Sequence, residues 1–181
     1  MKYLLEGQET ARLKFRLLKQ SDFNKWVEFF KNSDAARFLG MQDIKSANEQ
    51  CKLWFDKMMD RYENDLGGMN VLIDKSSNEF IGQSGLLIQE VDGLTELEVS
   101  YSIMPQFWNN GYASEAAIKC RNYAFENDFT DSLISTIHVD NERSARVALK
   151  NGMVKTKRSV FKNMPVNIYR IDKRDWLETV R

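Results

Sequence analysis

The stretch Leu97-Glu98-Val99-Ser100-Tyr101-Ser102-Ile103-Met104-Pro105-Gln106-Phe107-Trp108-Asn109-Asn110-Gly111-Tyr112-Ala113-Ser114-Glu115-Ala116 decides how this chain reads. Leu97, Val99, Tyr101 and Ile103 alternate with Glu98, Ser100 and Ser102, the period of two expected of a strand. Pro105 ends that ladder because it has no N–H to donate. Asn109, Asn110 and Gly111 then form a turn of residues that tolerate unusual backbone angles. From Ala113 onward the apolar positions are Ala113, Ala116, Ala117, Cys120 and Ala124, which is helical spacing. A small-residue turn feeding a helix start aims free N–H groups, and the positive end of the helix dipole, at one point. Such a point suits an anion, most of all a phosphate or pyrophosphate. Neither standard phosphate motif is present: there is no Gly-x-x-x-x-Gly-Lys and no Gly-x-Gly-x-x-Gly after a strand. Strand–turn–helix units also end in Asn and Gly with no ligand, so spacing alone leaves both readings open.

The same stretch resembles the acetyl-CoA-binding signature of the GNAT acetyltransferases, in particular the RimJ/RimL-like branch of ribosomal-protein N-acetyltransferases. That signature reads Gln/Arg-x-x-Gly-x-Gly/Ala; here Trp108 takes the first place, Gly111 the fourth and Ala113 the sixth. A second block, Asn141-Glu142-Arg143-Ser144 followed by Ala148-Leu149-Lys150-Asn151-Gly152-Met153, is similar to the same branch. The likeness extends from about Thr10 to Trp176. It implies an α+β fold: a three-layer α/β/α sandwich whose mixed, mostly antiparallel sheet splays between its fourth and fifth strands.

At 181 residues the chain suits one domain over 1–181, with enough length for a sizeable core. Lys plus Arg and Asp plus Glu number 26 each, so no net field draws it toward nucleic acid or an anionic membrane. Two distant cysteines, Cys51 and Cys120, are too few for a disulfide framework. Met1 to Gln8 lacks a signal peptide's apolar core, and no run approaches transmembrane length. A reduced, cytoplasmic protein, monomer or homodimer, is the expectation, without nucleic-acid or membrane partners.

Around the central stretch the patterns give a first strand over Thr10–Leu18 and a short helix capped by Ser21 or Asp22. Asn32–Asp43 reads as turns. A helix follows from Ser46 to Asn64, with Cys51, Trp54, Phe55, Met58, Met59 and Tyr62 as one stripe. Strands follow at Asn70–Asp74, Phe80–Val91 and Leu94–Ile103, and Asp92-Gly93 is a strong hairpin signal. Beyond the helix at Ala113–Asn127 come a strand at Leu133–Val139 and a helix capped by Asp140 or Asn141 and ended by Gly152. A hairpin of Val154–Phe161 with Pro165–Ile171 and a polar tail anchored by Trp176 complete the reading.

The resemblance implies acetyl transfer from acetyl-CoA, as cosubstrate, to an amine acceptor, a small molecule or a protein N-terminus, in a ternary complex. The alternative on the same scaffold is a non-catalytic acyl-CoA sensor. Backbone N–H groups from Asn109 to Ser114, including those of Asn110, Gly111, Tyr112 and Ala113, would cradle the pyrophosphate. Trp108 flanks them, and the main chain of Ile103 or Met104 would polarise the thioester carbonyl. Asn141 would bond the pantetheine amides and Lys150 a CoA phosphate. Glu98 is the candidate base, against the plain alternative of a solvated strand carboxylate. An α-amine needs only about 1 kcal/mol to be neutral at pH 7, a lysine roughly 4.6, which favours a weakly basic acceptor.

Many GNAT enzymes carry a Tyr that protonates the departing thiolate, and by spacing that position here is Ala148. Ser144 would instead hydrogen-bond the sulfur. A thiol is a fair leaving group, so protonation is worth only about 2 kcal/mol. Arg37, Phe38 and Leu39, between the first two helices, and His138, near the end of the fifth strand, are candidates for acceptor contact. One histidine without a neighbouring cysteine makes a metal site unexpected. Lys155, Lys157, Arg158 and Lys162 form a basic patch on the last hairpin that an acidic acceptor could use. Cys51 and Cys120 lie on apolar helix faces, which disfavours a covalent acetyl-cysteine route.

Overall fold

Alternation along the strands gives the sheet two apolar faces, and helices cover both. The computed structural model describes residues 2–179. In order these form β1 (Leu13–Arg16), α1 (Phe23–Phe30), α2 (Ser33–Phe38), α3 (Ala47–Glu63), β2 (Gly67–Asp74), β3 (Phe80–Val91) and β4 (Leu94–Ile103). Then come α4 (Tyr112–Glu126), β5 (Ser132–His138), α5 (Glu142–Lys150), β6 (Val154–Phe161), β7 (Met164–Asp172) and α6 (Lys173–Thr179). One seven-stranded sheet runs β1-β2-β3-β4-β5-β7-β6, antiparallel throughout except that β4 and β5 are parallel. The expected α+β sandwich is the fold observed.

Ala116, Ala117, Cys120 and Ala124 let α4 press against Leu13, Leu72, Leu86, Val99 and Leu133 on one face. On the other face, Trp26, Trp54, Phe55 and Met58 of α1 and α3 cover Met69, Val71 and Leu87. Each such side chain contributes about 1.5–3 kcal/mol by leaving water. Trp26 also stacks on Phe29 at 4.2 Å, and its neighbour Trp54 donates its indole N–H to Gln83 at 3.0 Å.

Four local expectations need correction. Residues 33–38 are helix rather than turn, because the Asn32 side chain accepts the Asp34 and Ala35 N–H groups as an N-cap. The first strand is Leu13–Arg16, shorter than the alternating run. Asp22 stands at the N-cap of α1 but does not cap it; its carboxylate takes both guanidinium arms of Arg16 and the Lys19 N–H. The final segment is the helix α6, held by Trp176, which lies against Phe125 at 5.4 Å and donates to Asn122. The Asp92-Gly93 turn forms as its residues demand, with φ of 52° and 77°.

Candidate active site

The site begins where β4 and β5 part. Their parallel ladder has one registered pair, Glu98 with Ile134. Further along, two side chains take up the backbone groups that a continuing ladder would have joined. Ser135 Oγ donates to the Val99 carbonyl at 2.7 Å, and the Thr136 N–H donates to Glu98 Oε1 at 2.9 Å. The fork is therefore hydrogen-bonded shut at its base, as buried main-chain groups require. Beyond it the strands diverge around a cleft of about 360 Å³, within the range of small-ligand sites.

On the β4 side, antiparallel alternation decides which backbone groups face the cleft. Met104 N–H donates to Ile81 C=O at 2.9 Å, so the groups of Met104 point to β3. Those of Tyr101 and Ile103, one step out of phase, point toward β5 and into the gap. The Ile103 carbonyl accepts the Trp108 indole N–H at 2.7 Å, which pins the turn to the strand end. Asn109 and Gly111 then take φ of 64° and 81°, the left-handed region that Asn and Gly enter most readily. Gly111 is the N-cap of α4 and no side chain caps the helix, so its first N–H groups stay open to the cleft.

The loop is braced from outside. Arg12 reaches Glu115 and the Asn110 carbonyl and lies 4.3 Å over the Tyr112 ring. Tyr112 donates to Asp74 at 2.9 Å. The Ser76 hydroxyl, the Ser77 N–H and Tyr112 hold the Asp74 carboxyl well below the usual range.

The Glu98 carboxylate is buried at the crotch of the fork. Besides Thr136 N–H it accepts the Thr136 hydroxyl, and from Gln89 an amide N–H at 2.8 Å. A carboxylate has about four acceptor positions, so three donors leave room for one more. On the β5 side Asn141 caps α5 by accepting the Ser144 N–H at 3.1 Å, which leaves its amide NH2 without a partner among the described residues. Ser144 C=O accepts the Tyr101 hydroxyl at 2.8 Å, while the Ser144 hydroxyl has no partner there. Lys150 lines the same cleft one helix face away. His138 Nδ1 accepts the Asp140 N–H, and its ring lies 5.5 Å from Phe38.

Across the mouth, α2 is tied to the β5–α5 side by two ion pairs. Arg37 meets Asp140, and Asp34 meets Arg143 at 3.1 Å. Arg143 also lies 4.0 Å over the Trp108 ring. Glu98, Ile103, Trp108, Asn109, Gly111, Tyr112, Ala113, Ser114, His138, Asn141, Ser144, Lys150, Phe38 and Leu39 all border this one cleft. Three expected residues lie outside its lining: Met104 is buried with its N–H engaged, Asn110 turns its carbonyl to Arg12, and Arg37 stands at the exposed rim. Reading the chain missed Arg12, Asp34, Thr136 and Arg143, whose partners lie far away in sequence. Cys51 and Cys120 are buried, and burial pushes both thiols up to about 12, far from the thiolate a nucleophile needs.

Comparison with known proteins agrees with this geometry. The family model for the acetyltransferase (GNAT) domain matches residues 12–154. YkkB of Bacillus subtilis is 36% identical over 96 residues, a match spanning 53% of this chain and 56% of that protein. The uncharacterized N-acetyltransferase YoaA of Bacillus subtilis is 29% identical over 149 residues, 81% of this chain and 82% of YoaA. An acetyltransferase of Agrobacterium tumefaciens superposes with a TM-score of 0.76 at 22% identity, covering 91% of this chain and 92% of its own. Spermidine N-acetyltransferase of Vibrio cholerae, solved with CoA and spermine, gives 0.72 at 16%, over 93% and 99%. With the family model covering most of the chain and the fold the same, this protein belongs to the GNAT acetyltransferase family.

Proposed function

We propose that the protein is an acetyl-CoA-dependent N-acetyltransferase that transfers acetyl directly to an amine in a ternary complex. One observation carries this: the open N–H groups at the start of α4 and the Glu98 carboxylate border the same cleft, at its rim and at its fork. The α4 end suits a pyrophosphate, and the strand groups of Tyr101 and Ile103 suit the amides of a pantetheine arm. Asn141, with its amide free, would add to them, and Lys150 would meet a CoA phosphate.

In the transfer step the amine nitrogen attacks the thioester carbon. Ile103 N–H donates to the carbonyl oxygen as it gains charge. Glu98 takes the amine proton, directly or through a water at its remaining acceptor position. The carbon–sulfur bond breaks, and the CoA thiolate leaves toward the Ser144 hydroxyl, which donates to it. Phe38, Leu39 and His138 border the acceptor end, with Arg37 at its rim.

The test is release of free thiol from acetyl-CoA across a panel of amines, with CoA binding followed by calorimetry. Turnover with an amine supports the enzyme. CoA binding without turnover on any amine would favour an acyl-CoA sensor, and failure to bind CoA would sink both.

A further inference from the structure

One face of β4 is polar and small where it borders the cleft. Val99, Tyr101 and Ile103 pack toward α4. Glu98, Ser100 and Ser102, one step out of phase, therefore face the layer that holds α1 and α2, and all three border the cleft. The Ser100 and Ser102 hydroxyls have no partner among the described residues. Across from them stand Phe29 of α1, Phe38 and Leu39 at the end of α2, and Phe107 just before Trp108. Phe29 is buried and fixed by its stack on Trp26 at 4.2 Å. Phe38 is half-buried and belongs to no core cluster; the His138 ring and the Arg37 guanidinium lie beside it, each at 5.5 Å. A ring left partly in water gains when an apolar group covers it.

The charge available to an acceptor here is narrow. Asp34 and Glu98 are the carboxylates that border the cleft; Arg143 holds Asp34 at 3.1 Å, while Glu98 forms no ion pair among the described residues. A polyamine would need a further free anion for its second ammonium. A carboxylate on the acceptor would need a free cation, and Arg143 is already paired. Lys155, Lys157, Arg158 and Lys162 of the last hairpin are exposed and lie outside the lining. Ser100 and Ser102 supply neutral hydroxyls, which suit a hydrogen-bonding edge on a ligand and bring no charge.

We propose that the acceptor is a primary amine carried on an apolar body, aromatic or branched. Its amine meets Glu98, and its body lies between Ser100 and Ser102 on the sheet and Phe29, Phe38 and Leu39 on the helices. The inference rests on the acetyl-transfer reading and narrows its substrate class. A free arylalkylamine and a peptide that begins with a large apolar residue share that chemistry.

The decisive measurement is calorimetric titration of phenylpropylamine into the CoA-bound protein, with spermidine as the polycationic control and γ-aminobutyrate as the acidic one. Phenylpropylamine binds at least about tenfold more tightly than either, and its heat grows more exothermic as temperature rises, the mark of apolar burial. Phe38→Ala weakens it at least about tenfold, and Phe38→Leu, which keeps an apolar side chain, restores most of the affinity. Phe38 ends a six-residue helix outside the core clusters, so its replacement spares the fold. Ser100→Leu, which fills the space from the sheet side, weakens binding as well. Phenylpropylamine binding no better than the controls, or affinity unchanged in both Phe38→Ala and Ser100→Leu, overturns the proposal.

With acetyl-CoA, two matched pairs separate the sources: phenylpropylamine against propylamine, and Leu-Gly-Gly against Gly-Gly-Gly. The apolar member of at least one pair is preferred at least about tenfold in kcat/KM, and equal rates within both pairs overturn the proposal. Turnover that is fastest on spermidine or γ-aminobutyrate overturns it too, while the transfer reading stands. If phenylpropylamine binds the CoA-loaded protein but no amine is acetylated, the transfer reading fails while the titration still upholds the apolar site.

Discussion

The two sides of the cleft are built from different materials. The β4–α4 side presents main chain: the gap-facing groups of Tyr101 and Ile103, then the open N–H groups after Gly111. The opposite side presents side-chain charge drawn from α2 and the β5–α5 junction. Main-chain donors are fixed once the fold forms and depend on side-chain identity only where the backbone, as at Gly111, takes a positive φ. Charges can be exchanged one residue at a time, and they answer to salt and pH. On the function proposed above, a scaffold with one side of each kind can keep its carrier while its acceptor changes.

Glu98 sits between the two sides and its loss is expected to have the largest effect. Glu98→Gln should lower kcat on the order of 10²-fold or more, as loss of a general base does, with little change in melting temperature. Glu98→Ala should in addition destabilise by about 1–3 kcal/mol in chemical denaturation, because Thr136 N–H loses its acceptor in a buried place. Equal kcat in wild type and Glu98→Gln would leave the carboxylate as a clamp on the fork and no base.

Next comes Gly111→Val. At φ of 81° a side chain costs about 1–2 kcal/mol, more when β-branched, so CoA should bind at least about tenfold more weakly by calorimetry. Unchanged affinity would show that the main-chain side is not where CoA binds.

Smaller effects belong to single charged pairs, the first of them away from the cleft, where Asp22 meets Arg16. Burial pushes Asp22 up, but the Arg16 guanidinium, Lys19 N–H and nearby charges outweigh it and hold the carboxyl below its usual value. Its contribution is therefore present above the unfolded value near ~3.9 and lost as pH falls through the lowered folded value. The stability gap between wild type and Asp22→Asn should be full at pH 7 and shrink below about pH 4. Smallest of all, double-mutant cycles on Asp34 with Arg143 and on Arg37 with Asp140 should give couplings of about 0.2–1 kcal/mol, since both pairs are exposed. In 1 M salt these couplings should vanish. A coupling that survives salt would mean the mouth is drier than its exposure implies.

The same contrast explains what could be read from the chain. Strand, turn and helix around Trp108–Ala113 are written in consecutive residues, so alternation, Pro105 and Gly111 mark them directly. Glu98 was legible as a position on a strand face, but its partners Gln89 and Thr136 come from the strands on either side and had no local mark. The pairs Asp34 with Arg143 and Arg37 with Asp140 join residues more than a hundred positions apart. Nothing in either segment names the other. α2 had a usable signal in Asn32 followed by Asp34-Ala35-Ala36, an N-cap ahead of helix formers, but six residues are too short for a periodic stripe. α6 was hidden by its polarity: only Trp176 is buried on it.

The way β4 and β5 come apart has a kinetic consequence. Ser135 and Glu98 stop the two strands from zipping together, so the gap is formed when the chain folds and does not wait for a visitor. A ligand arriving there finds its hydrogen-bond partners already aimed and has no strands to pry open, so little ordering entropy is lost on binding. Capture of the carrier should therefore be limited by encounter, with single-phase association and a rate linear in concentration.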